Sequence, residues 1–374
     1  MSAEVTAFEV HTRPGPLRAE DTLDGVDSML DEALESLGGL LEEAGVHPAG
    51  GDAATGPLHV DLVRELGGQL ANPGKRIRPR LAHWGWALAG DADATTWPSL
   101  VRVGAALELL HLFALVQDDV MDRSDTRRGR TALHVQAGRR HRSAEGLGDA
   151  ALFGDSVAVL VADLALSEAA SLVAPLPAPV RRVWRLMTVE LVDGQLLDIT
   201  HTASRGRDVP TSRRIARFKS GRYTITRPLE LGAAVSGADR AHIDRLVAWG
   251  DLVGDAFAVR DDVLGVWGDP AVTGKPAGDD LASGKPTILL SWAHEMLPAG
   301  DRPLLAACDA GTLDADGVRA LQAAMAAAGV RERAEQEITG LAERALDGLP
   351  ELGGDAAAVT ALDDLVRSIA WRSA

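Results

Sequence analysis

Two groups of aspartates carry the clearest chemistry in this 374-residue sequence. The first is Asp118-Asp119-Val120-Met121-Asp122, which ends a long apolar stretch. Asp118 and Asp122 are four residues apart, so on a helix their carboxylates share one face and repel each other. An apolar helix ending in such a pair calls for a cation. Hard oxygen donors with open positions suit Mg²⁺, which favours a few carboxylates plus substrate phosphates over a full protein cage. A solvated acidic helix end is the plain alternative. The second group is Asp261-Asp262, again after an apolar-rich segment, Leu252 to Val259, but with no third acid. Two such helices facing each other would hold several divalent ions around one diphosphate.

Basic residues recur around these acids. Lys75 and Arg78 lie one turn apart near a helix start, and Arg127 and Arg128 follow the first acidic group. Only four of the 38 basic residues are lysines, namely Lys75, Lys219, Lys275 and Lys285. Against an arginine-rich background, a lysine marks a place for a compact ammonium. Arginine grips phosphate oxygens in bidentate fashion and lysine acts as a point charge. Together with the aspartates, these residues predict a pocket for two diphosphates, one bound through metal and one held by basic groups.

The positioning elements read as helices. Leu23, Val26, Leu30, Leu34, Leu37 and Leu41 mark one apolar face. Further helices are expected near 58–71, 78–89, 97–122, 153–173, 178–200, 211–234, 238–267, 283–296, 315–328, 331–347 and 356–371. No strand is expected. Residues 101–116 and 153–166 are apolar almost all round and are expected at the centre of a bundle. Glu108 is one of two charged side chains in the first of them. The expected organisation is a flexible tail over 1–20 and one all-α domain over 21–374. A net charge of −16 argues against a nucleic-acid partner. One cysteine, Cys308, excludes an internal disulfide framework and a Cys-based zinc site. No apolar run is read as approaching the roughly 18–20 residues of a membrane span, and no apolar signal core opens the chain. The expectation is a soluble cytoplasmic protein.

In this order the motifs resemble those of the trans-isoprenyl diphosphate synthases, or polyprenyl synthetases. The resemblance runs from about Leu58 to about Leu290. It rests on Gly74-Lys75-Arg76-Ile77-Arg78-Pro79, His111 with Asp118 to Asp122, Arg127-Arg128-Gly129, Gly154-Asp155, Gly194-Gln195 with Asp198, Lys219-Ser220, Phe257 to Asp262, and Gly274-Lys275 through Asp280 to Lys285. It implies an all-helical bundle around a deep cavity, usually a homodimer. It also implies Mg²⁺-dependent head-to-tail condensation of isopentenyl diphosphate with an allylic diphosphate. By the same resemblance Asp118 and Asp122 bind two of three Mg²⁺ ions with Asp119 supporting, and Asp261 binds the third with Asp262 close by. Arg127, Lys219 and Lys275 hold the allylic diphosphate, bordered by Lys285. Lys75, Arg78, His111 and Arg128 hold isopentenyl diphosphate, while Gln195 and Asp198 orient Lys219 and the developing cation.

The chain departs from the family pattern in places. Gly265 stands where the second motif usually ends in Asp, Ala258 replaces a usual Gln, Gln117 replaces a frequent His, and Ser220 replaces a common Thr. The proline that follows Arg-Arg-Gly-x in the family is missing. Product length is expected to depend on Phe113 and Ala114, five and four residues before Asp118. An aromatic only at the lower position resembles the pattern of geranylgeranyl (C20) synthases. A terpene cyclase or unusual prenyltransferase on the same fold, or the partner subunit of a heteromeric synthase, are the alternatives.

Overall fold

The computed structural model describes residues 17–45, 56, 58–72, 74–89, 93–269 and 277–371. The helices are α1 (Ala19–Glu43), α2 (Leu62–Leu70), α3 (Ile77–Ala87), α4 (Trp97–Met121), α5 (Leu133–Ser143), α6 (Ala150–Val173), α7 (Ala178–Ser204), α8 (Val209–Ile215), α9 (Arg227–Ser236) and α10 (Arg240–Trp267). After them come α11 (Asp279–Ala282), α12 (Ile288–Met296), α13 (Arg302–Asp309), α14 (Ala315–Ala327), α15 (Val330–Gly348) and α16 (Ala356–Ala370). Side-chain caps mark several starts. Asp149 accepts from the amides of Ala151 and Leu152 at α6, and Asp239 accepts from that of His242 at α10.

α4 is the central helix and packs against α1, α3 and α6. Leu100, Val103, Leu107 and Leu110 on it are fully buried. The apolar run expected at the bundle centre is therefore there. The second such run is not. α6 turns one apolar stripe outward, with Leu152 65% and Leu160 54% exposed. Both helices are long and apolar enough to cross a membrane by length and composition, a point the sequence reading missed. Most of the apolar segment of α4 is buried within the bundle, as for a core helix.

The stretch expected as one helix over 211–234 is three joined helical parts. α8 and α9 flank a π-helical segment, Ala216–Thr226. A single π turn is the usual extent of this geometry, and it frequently marks a functional site. Here the longer segment is tied to α10 by Arg217–Asp255 and by Arg222–Asp251 at 2.7 Å, and to α7 by Arg222–Glu190 at 2.9 Å. Gly221 lets the backbones meet, since a Cβ there would lie 2.7 Å from the Gly254 carbonyl oxygen.

Other expectations shift. α1 begins at Ala19, inside the segment read as a tail, and Ala19 is buried; residues 1–16 lie outside the described residues. α5 and α13 were not read, being short and, in α5, crowded with arginine and histidine. The helix expected over 283–296 starts only at Ile288. One two-residue hairpin, β1 (Thr126–Arg127) and β2 (Arg130–Thr131), appears where none was expected. Its turn residues Arg128 and Gly129 both have positive φ, which suits a two-residue hairpin turn.

Candidate active site

A cavity of about 660 Å³ opens among α3, α4, α7, the π segment, α10, α11 and the residues between α11 and α12. On α4 its lining is Glu108, His111, Ala114, Leu115 and Asp118. At 100° per residue these five fall on one side of the helix. Phe113 is five residues from Asp118, about 140° round. It is buried in the hydrophobic core and is not a lining residue, so of the pair expected to set product length only Ala114 faces the cavity.

The first aspartate group is matched by cations. Asp118 Oδ1 lies 3.1 Å from Lys219 Nζ, and its Oδ2 accepts from Arg127 Nη2 at 3.1 Å. Asp119 is buried and accepts from Arg127 Nε at 2.9 Å. Asp122 accepts from Lys285 Nζ at 2.6 Å. Lys219 also donates to Asp198 at 2.5 Å, so Asp198 does hold Lys219. Gln195 does not; it lines the cavity and its amide meets the sulfur of Met121 at 3.4 Å. Burial opposes ionisation of Asp118, but Lys219, Lys285 and Arg127 outweigh it and hold its carboxyl well below the usual carboxylate range. Burial likewise opposes the charge on Lys285, and Asp280, Asp122 and Asp118 overcome it and push its pKa up.

Across the cavity α10 presents Phe257, Asp261 and Asp262. Asp262 accepts from the Ile288 amide at 3.1 Å and so caps α12. Burial, with Asp280 and Asp261 nearby, raises its pKa well above the carboxylate range. Ala258 is buried and does not line the cavity. Gly265 has a structural reason: a Cβ there would stand 2.0 Å from Asp280 Oδ2. The carboxylate of Asp280 thus fills the space that an acid at 265 would need. Lys275 lies outside the described residues.

The basic set forms another wall. Lys75, Arg78, His111 and Arg128 all line the cavity. Arg78 Nη2 donates to Thr224 Oγ1 at 2.8 Å, and its guanidinium lies 4.2 Å from the Tyr223 ring centroid. Arg128 donates to the Asn72 carbonyl at 2.7 Å and approaches His111 Nε2 at 3.3 Å. Burial and the charges of Arg78, Arg128 and Arg127 hold His111 well below its ordinary pKa, hence neutral. Glu108, buried beneath this set, lies 3.2 Å from Arg76. Sequence reasoning assigned no role to Arg76, Glu108, Tyr223 or Thr224. A charge inside the otherwise apolar 101–116 run was the available signal for Glu108; for Tyr223 there was none.

Among the described residues no three carboxylate, imidazole or thiol groups are gathered to hold one ion unaided. That donor set still fits Mg²⁺, which keeps open positions for waters and phosphate oxygens. Asp118 Oδ1 is buried and makes no hydrogen bond, only the ion-pair contact with Lys219. Asp118 and Asp122 would hold Mg²⁺ on one wall, and Asp261 on the other.

The fold and cavity define an all-helical bundle of the isoprenoid-synthase type. The polyprenyl synthetase family model matches residues 60–325, and the chain belongs to that family. It is 34% identical over 225 residues to a (2E,6E)-farnesyl diphosphate synthase of Mycobacterium tuberculosis, covering 59% of this chain and 57% of that protein. The chain therefore spans little more than half the length of that curated relative. It is 34% identical over 304 residues to a geranylgeranyl diphosphate synthase of the same organism, covering 79% of this chain and 76% of that one. The geranylgeranyl pyrophosphate synthase of Corynebacterium glutamicum, solved with isoprenyl diphosphate and magnesium, superposes with a TM-score of 0.83 at 32% identity. It covers 96% of this chain and 100% of that one.

Proposed function

We propose that this protein is a prenyltransferase that condenses isopentenyl diphosphate head to tail with an allylic diphosphate in the presence of Mg²⁺. The observation that carries this reading is one cavity with two aspartate-bearing helix walls and a separate basic wall. Lys219, Arg127 and Lys285 surround the allylic diphosphate beside Asp118 and Asp122. Lys75, Arg78 and Arg128 receive isopentenyl diphosphate. When bound, Mg²⁺ supplies positive charge to the departing diphosphate, which is electrostatic catalysis of ionisation. The side chains do the rest: Lys219 and Arg127 hold the leaving group, Asp198 holds Lys219, and Ala114, Leu115, Leu191 and Phe257 keep water from the cation. A complete basic wall favours condensation over cyclisation, which needs only one diphosphate site. Incubation with isopentenyl diphosphate, each allylic primer and Mg²⁺, with products sized by chromatography, tests the proposal. Absence of any elongated product from the purified chain refutes it.

We propose a C20 product, with Phe113 acting from the core behind the wall made by Ala114 and Leu115. Phe113→Ala lets that wall retreat and lengthens the product by one or more C5 units. An unchanged distribution assigns the length to another residue. We also propose a homodimer formed through the apolar stripe of α6 and α7, where Leu152, Leu160, Val189, Val192 and Leu196 are all exposed. Leu160→Glu is expected to convert a dimer into a monomer in sedimentation; a wild-type monomer rejects the assignment.

A further inference from the structure

Tyr223 belongs to neither set of residues that the sequence assigned to a substrate, yet it touches both sides of the basic wall. It lies on the π segment, four residues after Lys219, and is 4% exposed at the edge of the cavity. Its ring faces the Arg78 guanidinium at 4.2 Å, within the range of a cation–π contact. Its hydroxyl lies 3.1 Å from His111 Nδ1.

The direction of that second contact follows from its neighbour. A guanidinium has only donors, so the Arg128 Nη2 contact at 3.3 Å makes His111 Nε2 an acceptor. A neutral imidazole then carries its proton on Nδ1, and Nδ1–H donates to the Tyr223 oxygen. Were the tautomer reversed, Nε2–H would point at the guanidinium and push Arg128 away.

We propose that Tyr223 is a positioning residue for the basic wall, holding Arg78 directly through its ring and Arg128 indirectly by fixing the tautomer of His111. The inference deepens, and rests on, the assignment of that wall to isopentenyl diphosphate. It gives the π segment a second duty: Lys219 serves one diphosphate, and Tyr223 arranges the groups that meet the other.

The test is steady-state kinetics on the full chain with both substrates varied. Tyr223→Phe keeps the ring and loses the hydroxyl, so the KM for isopentenyl diphosphate rises about tenfold. Tyr223→Leu loses both contacts and raises it about a hundredfold. The allylic KM and kcat stay within about threefold in each. In a His111→Ala background Tyr223→Phe adds nothing further, because the hydroxyl works through the imidazole. Equal effects on both substrates together with a lower melting temperature would show a merely structural role and overturn the proposal. So would an unchanged KM in Tyr223→Phe, or full additivity with His111→Ala. Lys75→Ala and Arg78→Ala run alongside as controls. If they leave the isopentenyl diphosphate KM unchanged, the site assignment falls and the proposal with it. If they raise it and Tyr223→Phe does not, Tyr223 alone is wrongly assigned.

Discussion

Replacing Asp118 with asparagine keeps the shape of the side chain and removes one charge from the wall of the cavity. Two effects separate cleanly. On the protein, Asp118 faces Lys219 at 3.1 Å and Arg127 at 3.1 Å, but each cation keeps another partner: Lys219 has Asp198 and Arg127 has Asp119. Neither charge is stranded, so the loss of stability is about 1 kcal/mol, well short of the roughly 3–5 kcal/mol for a buried charge left alone. On the reaction, the missing charge is one that would fix a cation at the leaving diphosphate. A unit charge about 4 Å away is worth about 4 kcal/mol at the effective dielectric of a partly buried pair. At about 1.4 kcal/mol per decade, turnover falls about a thousandfold. The assay is turnover with both substrates across a Mg²⁺ titration, with thermal melts of the same samples. The expected result is the loss of turnover, a higher Mg²⁺ concentration for half-activation and a nearly native melt. Turnover within tenfold of the parent would refute the metal assignment, and a collapsed melt would refute the claim that the neighbouring cations stay paired.

Three further outcomes are expected. Lys75→Ala and Arg78→Ala raise the KM for isopentenyl diphosphate more than the allylic KM, and Lys219→Ala does the reverse; identical effects on both substrates reject the two-wall reading. Burial lowers the pKa of His83 to about 4, and this imidazole is held neutral against Thr22. The unfolded chain binds that proton below a pH of about 6.5, so the stability it contributes is complete above that pH and is lost as the pH falls toward 4. The total is about 3 kcal/mol; denaturant titrations at pH 7 and pH 5 should differ by about 2 kcal/mol less in His83→Gln than in the parent. Gly265→Ala sets a methyl against Asp280 and lowers stability by about 1–3 kcal/mol; Asp280→Ala in the same chain should restore the melt, and an unrelieved loss would show that another neighbour is being displaced.

Much of the fold was legible because its signals are local. The almost wholly apolar character of 101–116 placed α4 at the centre, and Leu23 to Leu41 gave one face of α1. Where the expectation failed, a non-local cause had decided the outcome. The stretch 211–234 reads as one helix, but the ion pairs from Arg217 and Arg222 to α10, and the Gly221–Gly254 approach, stand beside a π geometry that no 3.6-residue period encodes. α6 looked like a central helix from composition alone. Hydropathy cannot distinguish a side chain buried by its own chain from one left on an exposed stripe.

The site was legible to the extent that its residues are charged and closely spaced. Asp118, Asp122 and Lys219 stand out by type; Asp118 and Lys219 line one cavity, and Asp122 is tied to its wall through Lys285. Spacing could not say which cation meets which acid: Lys285 reaches back to Asp122 across 163 positions, and Gln195 turns to Met121 rather than to Lys219. Gly265 shows the limit most sharply. Read alone, it is an acid missing from the second motif. In the fold, a Cβ at that position would collide with Asp280 Oδ2 at 2.0 Å, and the Gly265 carbonyl accepts from the Gly278 amide at 3.0 Å. Asp280 therefore brings its carboxylate to the place the motif left empty, and the glycine is what lets it approach. A sequence motif counts residues along the chain, whereas the diphosphate meets charges arranged in space.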